Sequence, residues 1–339
     1  MQSPVTWIPA GSPFYAVAQR RSYPKPSAEC RDNSRLDSEV NQNGWESVRS
    51  GKDLFYCQPI RFNYDSIQFM DYVPPYFAFY RQIIRTLLDR RVITQTMSVL
   101  VVCGGEIDKK VFEQLGFTDV TISNLDSRMT GREFAPYKWS SQDAEALTFP
   151  DNSFDLVVVC AGLHHCHSPH RALLEVYRVA RRCAVAIEAR DGLLSRVAVR
   201  LGVVDEYEVT AVAGNNLAFG GVKNSPVPNY IYRWTEREVI KTIASYAPYS
   251  PPEILWFHKF EPPFEVLKVR KTLKALLLLY VAFPILWLIT RIFKSQCNLF
   301  AFAILKPDLP SELFPWLELQ DGRPAINRAW VKERFTVTE

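Results

Sequence analysis

Reactive and ligand-holding side chains in this chain cluster at the ends of apolar runs. The stretch Gly162-Leu-His-His-Cys-His-Ser-Pro-His170 directly follows the uninterrupted apolar run Leu156 to Ala161. Histidine titrates near neutral pH, so His165, or His164 beside it, could take a proton from a hydroxyl acceptor. The set His164, His165, Cys166, His167 and His170 also invites a metal reading. Adjacent ligands on one loop rarely converge tetrahedrally, and no second ligand pair occurs elsewhere, so no metal site is expected. Ahead of the apolar run lies an acidic turn, Asp143-Ala144-Glu145, where a carboxylate can accept the exocyclic amine of an adenine ring. A second carboxylate, Asp126, ends the run Val120 to Asp126, 21 positions after Gly105, and is placed to hold ribose hydroxyls. The glycine pair Gly104 and Gly105 lets the backbone approach a ligand closely, and the helix start beyond it offers free amides to a carboxylate.

These groups need a scaffold that brings strand ends together. Ser98 to Val102 reads as a first strand, Asp108 to Leu115 as a helix closed by Gly116, and Val120 to Asp126 as a second strand. The run from Leu156 is continuous enough to be a central strand of a parallel sheet. An amphipathic helix over Pro169 to Arg181 and a strand over Cys183 to Glu188 continue the alternation, which is the pattern of a doubly wound α/β sheet. No G-x-G-x-x-G follows the first strand, so a pyrophosphate cradle is poorly supported. Residues 190–229 are irregular and long enough for a lid or specificity insert. Thr235 with Glu238 forms a capping box that starts a further helix. Glu253 to Phe260 and Asn298 to Leu305 read as the last two strands.

Between those strands, Ala275 to Thr290 is a run of sixteen uncharged, mostly apolar residues containing Pro284. That is short for a bilayer span. Val266 to Cys297 also carries Lys268, Arg270, Lys271, Lys274, Arg291 and Lys294 with no acid. A helix or helical hairpin dipped into an anionic membrane surface is one reading. A helix buried against the domain or in a dimer contact is the other.

With the Phe-Pro-Asp-Asn-Ser-Phe-Asp run at 149–155 and the acidic turn before it, the segment from Ser98 to Ala189 resembles the class I S-adenosylmethionine-dependent methyltransferases. The resemblance implies a Rossmann-like, mostly parallel sheet with an antiparallel last strand, here with a helical apolar insertion between the last two strands. It implies S-adenosyl-L-methionine as cofactor, held by Cys103, Gly104, Gly105, Glu106, Asp126, Asp143, Ala144 and Glu145, with His165 or His164 as catalytic base. Two positions depart from the family: Val101 stands where an acid is common, and Ile107 where the glycine loop has its last glycine. The expected activity is methyl transfer to oxygen on a small-molecule or lipid-linked acceptor, such as a sugar or isoprenoid. The rival readings are a degenerate cofactor-binding domain and a membrane-attached scaffold.

The 339 residues are 47% hydrophobic, enough for a sizeable core. Net charge is +4, and since 266–297 holds +6 the remainder is about −2, which argues against a nucleic-acid surface. Seven scattered cysteines without a C-x-x-C pair suit reduced thiols. The first thirty residues hold no apolar run of signal-peptide type, so a cytoplasmic protein, placed at the inner face of a membrane if the insertion binds one, is expected. The expected layout is a Pro/Ser-rich arm or cap over 1–63, the methyltransferase domain over 64–260 and 298–310, the insertion over 261–297 and a tail over 311–339.

Overall fold

The computed structural model describes residues 75–336 apart from 265–266, 268–272 and 310. The expected arm over 1–63 lies outside the described residues, as do Lys268, Arg270 and Lys271. Five strands run parallel: β1 (Val99–Val102), β2 (Val120–Asn124), β3 (Lys138–Ser141), β4 (Phe154–Cys160) and β5 (Ala180–Ala189). After β6 (Glu253–Lys259), β7 (Leu299–Leu305) inserts antiparallel between β5 and β6. The sheet order is β3-β2-β1-β4-β5-β7-β6, the doubly wound arrangement expected, with its order reversing between β1 and β4.

The apolar runs form central strands because both sheet faces are covered. Side chains alternate across a strand, so Val99 and Val101 join one core while Leu100 and Val102 join the other. On the first face, α1 (Pro75–Asp89) and α2 (Glu106–Gln114) contribute Tyr80, Ile83, Ile84, Leu87, Val111 and Phe112. On the second, α3 (Pro169–Val179) and α6 (Glu236–Tyr246) contribute Leu173, Val176, Val239 and Ile243. Each such side chain, fully buried, stabilises the fold by about 1.5–3 kcal/mol relative to exposure. The capping box at α6 forms as expected, with Glu238 Oε2 accepting the Thr235 N–H at 2.8 Å.

Several boundaries differ from the sequence reading. The helix after the glycine pair starts at Glu106, because Gly105 is its N-cap and Asp108 Oδ2 accepts the Gly105 N–H at 2.8 Å. The second strand ends at Asn124, two residues short of Asp126. β3 is an edge strand of polar residues whose hydrogen bonds to β2, rather than apolar content, define it. Residues 190–229 contain two short helices, α4 (Leu193–Arg200) and α5 (Val209–Gly214). Among the described residues of the insertion, Leu273–Ile292 forms the helix α7, which continues through Pro284. The expected tail folds as a hairpin, β8 (Leu317–Gln320) and β9 (Arg323–Ile326), followed by α8 (Arg328–Arg334).

Candidate functional site

The carboxyl ends of β1 and β4, where the strand order reverses, are where a doubly wound sheet holds its ligand. Both strands end in a residue with left-handed backbone, Cys103 at φ +55° and Ala161 at φ +50°. Such conformations are uncommon for residues other than glycine and cost energy that packing must offset. The glycines beside them leave no room for a side chain. A Cβ on Gly162 would sit 2.6 Å from Cys103 Cβ, and one on Gly104 would sit 2.7 Å from Val101 Cγ1. These tight crossings form the floor of a cavity of about 260 Å³ lined by Cys103, Asp126, Asp143, Ala144 and His165.

Five of the sequence-predicted site residues therefore converge. Gly104, Gly105, Glu106, Glu145 and His164 do not line the cavity, each for a physical reason. Gly104 packs beneath it. The amide of Gly105 donates to Asp108 Oδ2. Glu106 is exposed and faces Lys110 at 3.7 Å along α2. The Glu145 carboxylate accepts the N–H groups of His167 and Ser168 at 3.1 and 2.9 Å, fixing the loop that leads into α3. His164 is turned away, toward Glu188.

The two cavity carboxylates already carry internal partners. Both oxygens of Asp126 accept from Arg128, with the closest contact 2.5 Å from Nη2, and this pairing holds the carboxyl below its ordinary range. Arg128 is itself stacked over Phe219 and donates to Asn215 Oδ1 at 3.1 Å. Asp143 accepts from Lys223 Nζ at 2.6 Å, and the same Nζ lies 3.0 Å from Glu145. Burial would raise the Asp143 pKa, but Lys223 outweighs it and the carboxyl is lowered. Lys223, Asn224, Gly220 and Gly221 all line the cavity, so the segment 190–229 contributes a wall, as its length suggested.

The histidine pair forms a charge relay with two acids. Buried His164 places Nδ1 2.7 Å from Glu188 Oε2, while its Nε2 lies 3.3 Å from Glu208 Oε2. Burial disfavours its charge, yet the Glu188 and Glu208 carboxylates win and push its pKa up to about 10. Glu188 also accepts the Leu163 N–H at 2.8 Å, so the last turn of β5 fixes the histidine loop. His165 lies on the cavity wall with Nε2 3.3 Å from the same Glu208 oxygen. Its pKa is lowered by burial and by the charge on His164. Ligand atoms of His164, His165 and Glu208 lie within 4.8 Å of one another. His167 contributes a backbone N–H to Glu145, and His170 stacks near Tyr232 and Trp234, away from this cluster. His258 of β6 donates from Nε2 to Glu236 Oε1 of α6 at 2.8 Å, a packing role.

Sequence reasoning missed Arg128, Glu188, Glu208 and Lys223. Glu188 could have been found, since it is the one acid in the apolar strand 183–189 and a buried acid needs a partner. Glu208 and Lys223 carry no local signal, because only the fold of 190–229 brings them to the strand ends.

The lining fits an adenosine-bearing ligand. Acceptors stand after β2 and β3, and Leu125, Ala144 and Ala161 add apolar surface to the lining. Asp126 must release part of its Arg128 pairing to accept a ribose hydroxyl, and Asp143 part of its Lys223 pairing to accept an amine.

Residues 100–187 match the family model described as a methyltransferase domain. Over 87 residues the chain is 32% identical to a ubiquinone/menaquinone biosynthesis C-methyltransferase of Hydrogenovibrio crunogenus, a match covering 23% of this chain and 34% of that protein. The chain thus spans about a third of the length of this curated relative. Among solved structures, the magnesium protoporphyrin IX methyltransferase of Synechocystis PCC 6803 aligns over 68% of this chain and 84% of its own, at 12% identity and a TM-score of 0.41. A methyltransferase-like protein of Bacillus halodurans C-125 aligns over 66% and 96%, at 17% identity and a TM-score of 0.38. Residues 100–187 thus match a methyltransferase domain, and they lie in a doubly wound sheet whose strand order reverses at the cavity.

Proposed function

We propose that the chain transfers the methyl group of S-adenosylmethionine to an oxygen of a small-molecule or lipid-linked acceptor. The cofactor supplies an electrophilic methyl group when bound; Asp126 and Asp143 would hold its adenosine part. Methyl transfer is an in-line displacement that asks the protein for alignment, exclusion of water and a base for a hydroxyl nucleophile. The observation that carries the oxygen reading is His165 on the cavity wall with Nε2 3.3 Å from Glu208, beside a His164 held between Glu188 and Glu208. As the acceptor oxygen gains the methyl group, its proton passes to the His165 ring. The resulting charge is met by the Glu208 carboxylate 3.3 Å away.

The acceptor class is drawn from the insertion. Leu277, Val281, Ile285 and Leu288 of α7 are more than half exposed, and the sequence from 266 to 297 carries six cations and no acid. No helix of the described residues is long and apolar enough to cross a membrane. A peripheral contact with the anionic inner face of a membrane satisfies both the apolar face and the cations, and would bring a lipid-linked acceptor to the domain.

A second reading, a domain that binds the cofactor without turnover, is favoured by one set of observations: Asp126, Asp143 and the Gly105 amide are each occupied by a neighbour within the chain. The test is incubation of the protein with methyl-tritiated cofactor and a total lipid and small-molecule extract, followed by extraction of labelled product. Label transfer is expected, and His165→Gln should reduce it about a hundredfold or more with cofactor binding unchanged. Saturable cofactor binding with no labelled product would favour the second reading.

A further inference from the structure

The structure holds a second cavity that methyl transfer does not require. It encloses about 360 Å³ between α4, α7 and the start of β7, with walls from Leu194, Val197, Ala198, Leu201, Leu279 and Ala282. This volume is in the range of small-molecule sites and the walls are chiefly apolar. The polar groups around it are already satisfied. Asn298 exchanges two hydrogen bonds with the Glu261 backbone, each 2.8 Å, and Gln296 accepts the Leu194 N–H at 3.2 Å. Arg233 is committed to the carbonyls of Ile231 and Asp205.

One polar atom is the exception. Ser195 is 7% exposed, lines this cavity, and its Oγ has no hydrogen-bond partner among the described residues. A buried hydroxyl without a partner costs free energy unless something supplies one. Two further features define what would enter. The cavity wall and the exposed apolar surface share residues: Leu278, Leu201 and Val197 line the cavity yet are 66%, 70% and 45% exposed. The cavity also reaches Ala189, the residue after Glu188, whose carboxylate holds His164. The cavity thus opens on an apolar surface, and its wall includes a residue of the strand that carries Glu188.

We propose that this cavity binds the hydrocarbon chain of the methyl acceptor, an amphiphile with one acyl or isoprenyl chain and an oxygen near its polar end that pairs with Ser195. The proposal rests on the methyl-transfer reading for the acceptor's role and on the cavity alone for binding of the chain. Entry through the exposed faces of α4 and α7 lets the chain pass from a bilayer without crossing water.

The probe is dansyl-undecanoic acid, followed by fluorescence with the full chain. Saturable binding with one site per protein is expected, displaced by lauryl alcohol and by farnesol, which compare a linear with an isoprenoid chain. Ala198→Trp and Ala282→Trp, which fill the cavity from opposite walls, should each weaken the probe tenfold or more and leave S-adenosylhomocysteine affinity within twofold of wild type. That second readout also certifies that the variants fold. Ser195→Ala should weaken lauryl alcohol about threefold. Leu277→Glu, on the exposed side of α7 outside the cavity lining, should leave probe binding unchanged. Absence of saturable binding by wild type, equal binding by both filled variants, or loss on Leu277→Glu alone would overturn the proposal. A chain that binds with this pattern while no acceptor is methylated would sink the functional reading and leave the cavity assignment standing.

Discussion

Asp108 offers a quantitative test of how the cofactor loop is built. It is 7% exposed at the first turn of α2, one oxygen accepts the Gly105 N–H, and the carboxyl lies beside the buried Tyr80 hydroxyl. Burial raises its pKa from 3.8 to about 6. Keeping the group ionised at pH 7 therefore costs roughly 3 kcal/mol, taking 1.36 kcal/mol for each pKa unit. Asp108→Asn keeps an acceptor for the Gly105 N–H and removes the charge, losing about 1 kcal/mol of charge-assisted hydrogen bonding. The net expectation is about 1–2 kcal/mol of stabilisation at pH 7, or roughly 2–8 °C in Tm for a domain of this size. The folded pKa lies above the unfolded one, so the native state binds more protons between 3.8 and about 6 and wild-type stability falls as pH rises through that window. Urea unfolding of both proteins at a series of pH values measures this. The advantage of the variant should be absent below the window and complete above it. A variant less stable at pH 7, or an advantage that does not change with pH, would refute the reasoning.

Three further outcomes follow from the same geometry. Lys223→Met removes the cation that engages Asp143 and Glu145; both Lys223 and Asp143 are about one-third exposed, so the pair is worth at most ~1 kcal/mol. S-adenosylhomocysteine should bind the variant about two- to fivefold tighter by calorimetry, and weaker binding would mean that Lys223 contacts the ligand. The His164 pKa is raised from 6.5 to about 10, so its contribution to stability is complete below 6.5 and is lost as pH rises toward 10; Glu188→Gln should flatten that decline, as read by denaturant midpoints across the interval. Changing Lys274, Arg291 and Lys294 to glutamine should weaken co-sedimentation with phosphatidylserine vesicles by about 1 kcal/mol for each cation near the surface, whereas an unaltered wild-type level of binding would remove electrostatics from the membrane reading.

The parts of the fold legible in the sequence are those whose residue types are dictated by burial on both sides. Val99–Val102 and Leu156–Ala161 could hardly be anything but central strands, and Thr235 with Glu238 announced α6. β3 was not legible, since Lys138-Trp-Ser-Ser141 is polar and owes its structure to β2. The β8–β9 hairpin had a local signal that went unread: Asp321-Gly322, both at positive φ, is a favoured two-residue hairpin turn. The site divides the same way. Asp126 and His165 follow β2 and β4, so their place followed from the strands, whereas Asp143 follows the illegible β3 and was placed by its acidic turn alone. Glu106 and Glu145 share the same stretches but point to Lys110 and to the α3 loop, a difference of side-chain direction that spacing does not encode. Lys223 and Glu208 reach the cavity only through the path of 190–229.

The cavity at the β1 and β4 ends is predicted to bind the cofactor through Asp126. Calorimetric titration of S-adenosylhomocysteine into wild type and Asp126→Ala addresses this most directly. One-site binding by wild type is predicted, weakened in the variant by about 1.5–3 kcal/mol, the range for losing hydrogen bonds to a charged group, with the unfolding midpoint nearly unchanged. Equal affinity of the two proteins, or no binding by wild type under conditions where it is folded, would contradict it.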